Sequence, residues 1–325
     1  MLRPIRLVAA ASALFAVGAL GPACAPASDP IEDEEAMDGA QSLSVSPGDP
    51  YGAHGVTVFA PEAGRGIYAE VMFENGDVGS LHIRTLPDGS VFSLPDDGED
   101  TDSSPTDDED DTSVVAEAAG EASASGSPGP CSDRARKLLG YKWTKPYTWS
   151  FQSSSTPSSN SVANVEAKLK AAANNITGSR NSCGMSNAVS AKHAYAGRTT
   201  RGTQIGADAS CKGTGDGFNT IGFGALPDGI LGLACVWYDG DGHAIEADVR
   251  LTTKRKWFAQ KPDNCSGRFS VEGVATHEIG HVFGLGHVSE GAHGNLTMST
   301  AINGTCESAE ATLGKGDVLG LRALY

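Results

Sequence analysis

The chain has no Cys-x-x-Cys pair, no apolar run after Leu20 long enough to cross a membrane, and almost no basic residues in its first 130 positions. Without a Cys-x-x-Cys pair, its 7 cysteines do not have the spacing of a thiolate metal knuckle. Residues 1–130 hold 4 Lys+Arg against 24 Asp+Glu and residues 131–325 hold 20 against 16, which together give the net charge of −16. The acidity therefore belongs to the front part alone and carries no message about substrates. Neither part interleaves basic residues with aromatics, so no nucleic acid is expected as a partner.

What is present first concerns export. Arg3 and Arg6 precede an apolar run from Leu7 to Leu20, shorter than the ~18 residues a membrane span needs but suited to a signal peptide over residues 1–25. Two processing readings stay open at Cys24. Ala23-Cys24-Ala25 is a small-residue cleavage site, whereas Leu20-Gly-Pro-Ala-Cys24 resembles a bacterial lipoprotein box, in which a lipidated Cys24 would anchor the chain at the cell-surface membrane. The protein is expected to be secreted, or held there by lipid. Six cysteines remain, Cys131, Cys183, Cys211, Cys235, Cys265 and Cys306. An even set in an exported domain predicts three disulfides of open connectivity.

Composition divides the rest. Residues 26–54 are polar and acidic and are expected to be a flexible tether. Residues 55–95 contain strand-like pieces at Val56–Ala60, Ile67–Phe73, Ser80–Leu86 and Ser90–Leu94 separated by turn signals, a small β-rich module of prodomain character. Residues 96–130 form an acidic linker rich in Ser, Gly and Ala that is expected to be disordered and open to proteases. Removal of residues 26–130 on activation is one expectation, and a spacer function for them is the alternative. Residues 131–325 have mixed periodicity: strands at Tyr147–Phe151, Ala234–Tyr238 and Ala244–Leu251, and helical spacing from Val162 to Ala173. The four tryptophans are expected in packing.

The chemistry is concentrated at residues 277–287, His-Glu-Ile-Gly-His-Val-Phe-Gly-Leu-Gly-His. On a helix, positions i and i+4 share a face, so His277 and His281 can reach one ion. Glu278 is one step round, where it serves as a base beside the metal rather than as a ligand. Gly284 can adopt positive φ, end the helix and bring His287 in as a third ligand. Ser270 is the expected N-cap of that helix, with Val274, Ile279 and Val282 as its anchors. The pattern predicts one catalytic zinc ion and hydrolysis by zinc-activated water with Glu278 as general base.

This stretch resembles the extended H-E-x-x-H-x-x-G-x-x-H signature of the metzincin metallopeptidases. Met298, in Asn295-Leu-Thr-Met-Ser-Thr300, resembles their methionine turn, which lies beneath the metal without ligating it. The segment Lys315–Tyr325 looks like the last helix of matrixins, and Ile245–Leu251 like the strand before the active-site helix in secreted bacterial matrixin-like enzymes. The resemblance covers about residues 131–325 and implies an α+β fold: a twisted mixed sheet with two long helices and a zinc cleft. It also implies an endopeptidase acting on proteins or peptides, here expected to be a monomer and made as a zymogen.

There are departures. Val288 follows the third histidine where matrixins usually have Ser, which here is Ser289. His193 lacks the following His-x-Asp pattern of a second, structural zinc site, which is not carried over. Asp239-Gly-Asp-Gly242 reads either as a calcium loop or as an ordinary turn. His293 is expected on the rim, because a fourth ligand would close the position water needs. A matrixin-like thiolate switch would use Cys131, but cysteine parity favours a disulfide there, leaving an aspartate of the linker as the alternative inhibitor. The competing function from another class is a secreted binding or adhesion protein on a zinc-stabilised scaffold, in which Glu278 would have no task.

Overall fold

The computed structural model describes residues 39–95, 127–302 and 304–325. The expected signal peptide, Cys24 and nearly all of the acidic linker lie outside the described residues. Among the described residues no helix is long and apolar enough to cross a membrane.

The front part supplies six strands: β1 (Gln41–Leu43), β2 (Pro50–Ala53), β3 (Val56–Phe59), β4 (Arg65–Phe73), β5 (Val78–Thr85) and β6 (Val91–Leu94). β1 and β2 lie within the span expected to be a tether, so ordered structure begins ahead of residue 55. The larger part begins with β7 (Tyr147–Gln152), α1 (Val162–Thr177), β8 (His193–Thr199), β9 (Ser210–Cys211) and β10 (Asn219–Gly224). It continues with β11 (Ile230–Asp239), β12 (Ala244–Thr252), β13 (Lys256–Phe258), β14 (Arg268–Ser270), α2 (Val271–Val282), α3 (Glu290–His293) and α4 (Lys315–Leu324).

Nine of these strands form one mixed sheet in the order β1-β6-β5-β4-β11-β12-β10-β7-β8. β12, β10, β7 and β8 run parallel to one another, and β11 turns antiparallel to β12. β4 then pairs antiparallel with β11, from Arg65 opposite Asp239 to Phe73 opposite Ile230. The expected β-rich module is thus continuous with the sheet of the larger part. β11, antiparallel to both its neighbours, is buried along nearly its whole length, so both faces of the sheet are covered there.

Two apolar cores lie against this sheet. The first gathers Trp149, Phe151, Leu169, Ile176, Val249 and Ile279, and so joins the sheet to α1 and α2. The second joins Ile67, Val71, Leu81 and Ile83 of the front part to Leu233 and Trp237 of β11. Alternation along β4 decides the division: Tyr68 and Met72 enter the first core, Ile67, Ala69 and Val71 the second.

All twelve residues of α2 are buried, so this helix runs through the core rather than over it. Ser270 caps it by accepting from Gly273 N. At the other end, three aromatic side chains satisfy carbonyls that a helix leaves unpaired. Tyr141 Oη donates to His281 O (2.7 Å), Trp143 Nε1 to Val282 O (2.8 Å) and Tyr325 Oη to Phe283 O (3.2 Å). Glu272 ties α2 to α1 through Lys168 Nζ at 2.6 Å. Three disulfides, Cys131–Cys183, Cys211–Cys235 and Cys265–Cys306, use all six cysteines of the larger part.

Candidate metal centre

His277 and His281 stand one turn apart on α2, and their Nε2 atoms lie 3.0 Å apart. The helix ends at Phe283, and Gly284, at φ +88°, turns the chain back. No side chain fits there, because a Cβ would overlap Tyr141 O. The turn carries His287 round until its Nε2 lies 3.0 Å from that of His277. The three predicted histidines therefore converge on one point, and all three are buried.

The hydrogen bonds on the far side of the rings set their chemistry. His277 Nδ1 donates to Thr297 O and His281 Nδ1 to Leu285 O, each at 2.8 Å. A carbonyl only accepts, so both rings carry the proton on Nδ1 and turn the Nε2 lone pair inward. Burial, then the neighbouring His281 and His287, hold the His277 pKa well below the usual imidazole range, which keeps that ring neutral. Inward lone pairs this close repel one another unless a cation lies among them. The donor set, imidazoles of which two are fixed by carbonyl partners, is one that zinc takes.

Glu278 is fully buried, and neither of its carboxylate oxygens has a hydrogen-bond partner among the described residues. Burial, then the charge of Glu70, pushes its pKa well above the ordinary carboxylate range. Space for this carboxylate comes from Gly232 on β11, where a Cβ would overlap Glu278 Oε1. A buried acid without partners beside a metal-binding cluster is poised to exchange a proton.

Met298 lies beneath the histidines, its sulfur against the backbone of Gly280. The turn that holds it is clamped from α4: Asp317 accepts from Thr297 N (2.9 Å), Met298 N (3.2 Å) and Gly314 N (2.8 Å). Val288, the departure after the third histidine, is buried and pairs its N with Met298 O at 3.0 Å. An apolar residue is accommodated there because its backbone, not its side chain, makes the connection.

A second acid joins the cluster. Glu70, on β4, places Oε2 at 2.9 Å from His281 Nε2 and Oε1 at 3.1 Å from His287 Nε2, with no solvent exposure. Its carboxylate and the three histidines offer ligand atoms within 4.8 Å of one another. Burial opposes its ionisation, but His287 and then His281 outweigh burial and lower its pKa. The sequence reading missed Glu70. The signal was a lone acid inside the apolar run Ile67-Tyr-Ala-Glu-Val-Met-Phe73.

Other expected groups lie elsewhere. Asp239, Asp241 and His243 also sit within reach of one ion. Their arrangement is accounted for by the β11–β12 turn, in which Asp239 Oδ1 accepts from Asp241 N and His243 N. His293 Nδ1 bonds Asp133 at 3.0 Å. His193 lies between Trp149 Nε1 and Asn174 Oδ1. Cys131 is in a disulfide and is not a metal ligand.

A buried helix that presents two histidines to a third from the following turn, with an acid after the first and a methionine turn below, defines a metzincin-type centre. Residues 226–325 match the family model of the matrixins, peptidase family M10, and over that span the chain is similar to a matrixin-like metzincin. The matrixins are a metallopeptidase family, and zinc is the metal the family implies. No curated protein matches the chain.

Proposed function

We propose that the protein is a secreted zinc endopeptidase in which His277, His281 and His287 hold the metal and Glu278 is the general base. The observation that carries this reading is the meeting of inward Nε2 lone pairs with the buried, unpartnered Glu278 carboxylate. A bound zinc ion supplies Lewis acidity, acidifying water and polarising a carbonyl.

The protein's own groups do the rest. Thr297 O and Leu285 O hold the two helix histidines in the ligating tautomer. Glu278 takes a proton from the attacking water onto its carboxylate and returns it to the leaving amine, and its raised pKa makes the protonated form accessible in between. Met298 and the Asp317 clamp keep the floor of the site in place without touching substrate. An extended peptide would align along β11 by main-chain hydrogen bonds. Three disulfides suit an oxidising, extracellular setting.

The test is the Glu278→Ala variant, treated with protease alongside wild type until the front part is degraded and then assayed on a quenched peptide. Hydrolysis should fall by about 10²–10⁴-fold while zinc content, by mass spectrometry, is unchanged. Undiminished hydrolysis would remove Glu278 from the mechanism and leave the zinc-stabilised binding protein as the better account.

A further inference from the structure

We infer that the front part of the chain holds the enzyme latent: β4 occupies the edge strand where substrate would pair, and Glu70 closes the position the three histidines leave to the metal. The inference rests on the peptidase reading above and names the regulation of the same site.

The register carries the first half. Among the strands of the larger part, β11 is the end of the series β11-β12-β10-β7-β8, so its outer edge would present unpaired N–H and C=O groups. Such an edge is what an extended peptide uses for main-chain recognition. β4 fills it along its length, antiparallel, with Glu70 opposite Ala234 and Met72 opposite Gly232. Since Gly232 is the residue that makes room for Glu278, β4 crosses the edge beside the base itself.

Side-chain alternation carries the second half. Glu70 shares its face of β4 with Tyr68 and Met72, both buried in the first core. A carboxylate on such a face is costly unless it is paired. Its oxygens lie against His281 Nε2 and His287 Nε2, two of the atoms expected to bind zinc, so a cation shared with those nitrogens is what would pair its charge. Carboxylate oxygen is an ordinary zinc donor, and three histidines with one carboxylate would leave a bound zinc no open position for water. A glutamate on a paired strand therefore takes the role expected of a linker aspartate.

The hold does not depend on the linker. β3 pairs with β9 through Thr57 opposite Ser210 and Val58 opposite Cys211. Glu74 forms a two-point ion pair with Arg255, both contacts at 2.7 Å. His82 Nε2 lies 2.8 Å from Tyr238 Oη. A cut between residues 96 and 126 would leave these contacts and the second core intact, so activation requires that the front part also be displaced or degraded.

The experiment uses the full chain with cobalt in place of zinc and acetohydroxamate as the probe, a ligand small enough to need only an open metal position. The visible cobalt spectrum of the wild-type chain should resist the probe. Glu70→Gln, which keeps the volume, and Glu70→Ala should bind it at least about tenfold more tightly, while Glu62→Gln, at an exposed residue whose ion pair stays within the front part, should behave as wild type. In a chain with a specific protease site placed in the linker, cutting should leave both fragments co-eluting and hydrolysis at the uncut level until the front fragment is degraded. Equal probe affinity in wild type and both Glu70 variants, or full activity on linker scission alone, would overturn the inference. Cobalt retained in the His277→Ala/His281→Ala double variant would instead overturn the metal assignment, so the two failures are distinguishable.

Discussion

The sulfur of Met298 rests against Gly280 in the space a side chain would take. This contact joins the active-site helix to the turn below it, and it explains why the residue between Glu278 and His281 at that point is glycine. Gly280→Ala should force the turn away and destabilise the protein by about 1–3 kcal/mol, whereas Met298→Leu, which conserves volume, should cost less than about 1.5 kcal/mol. Urea unfolding of the two variants would check the order.

Gly232 has the same relation to Glu278, with a different consequence. A Cβ there meets the movable end of a carboxylate, so Gly232→Ala should shift the base and spare the fold. We expect the activated enzyme to lose about 10²-fold in kcat/KM with full zinc content and near-normal Tm. Loss of zinc together with activity would show that the substitution had disturbed α2 instead.

The disulfide Cys131–Cys183 closes a separation of 52 residues. Replacing both with serine should destabilise the larger part by about 4 kcal/mol on the loop-closure relation. It should not release activity from the uncut chain, because neither sulfur approaches the histidines. Spontaneous activation of the double variant would restore the thiolate-switch reading.

Buried carboxylates set a pH dependence. Burial raises the Asp248 pKa from 3.8 to about 8, against the opposing hydrogen bonds from Gln204 N and Thr220 N, with Glu246 and Asp216 raising it further. The native state therefore holds this proton more tightly than the unfolded chain, and the stability it contributes is complete below 3.8 and is lost as pH rises to about 8. Asp317, raised by burial from 3.8 to about 6 against its three backbone donors, acts in the same sense over a narrower window. Urea midpoints should decline across these windows, and Asp248→Asn should flatten the upper part. An unchanged slope would mean that Asp248 is not the titrating group.

Metal removal should act on the same linkage from another side. With the cation gone, the Nε2 atoms of His277, His281 and His287 face one another at about 3.0 Å. Chelation should therefore lower Tm at neutral pH, and zinc should restore it. An unchanged Tm would argue that the rings reorient freely and that the site is not preorganised.

Much of the centre was legible before any coordinates. The spacing of His277, Glu278 and His281 is a helical repeat, and Gly284 marks a turn only a residue tolerant of positive φ makes readily, so local backbone rules were enough to bring His287 round. Ser270 as cap, the strands around residues 56–94, and an even set of cysteines behind residue 130 were likewise local or arithmetic facts. The pairing of those cysteines was not, because connectivity depends on which distant segments meet.

The sequence by itself determined the chemistry, since a ligand set written within one helix and its following turn needs no distant partner to be recognised. Tertiary structure alone decided who shares that site. Glu70 reaches the histidines only because β4 pairs with β11 in one register, and a shift of a single residue would turn its carboxylate to the other face of the sheet. Asp317, Tyr141 and Trp143 converge on α2 and the turn below it for the same reason: their roles are fixed by packing across the core, where sequence spacing carries no information about distance.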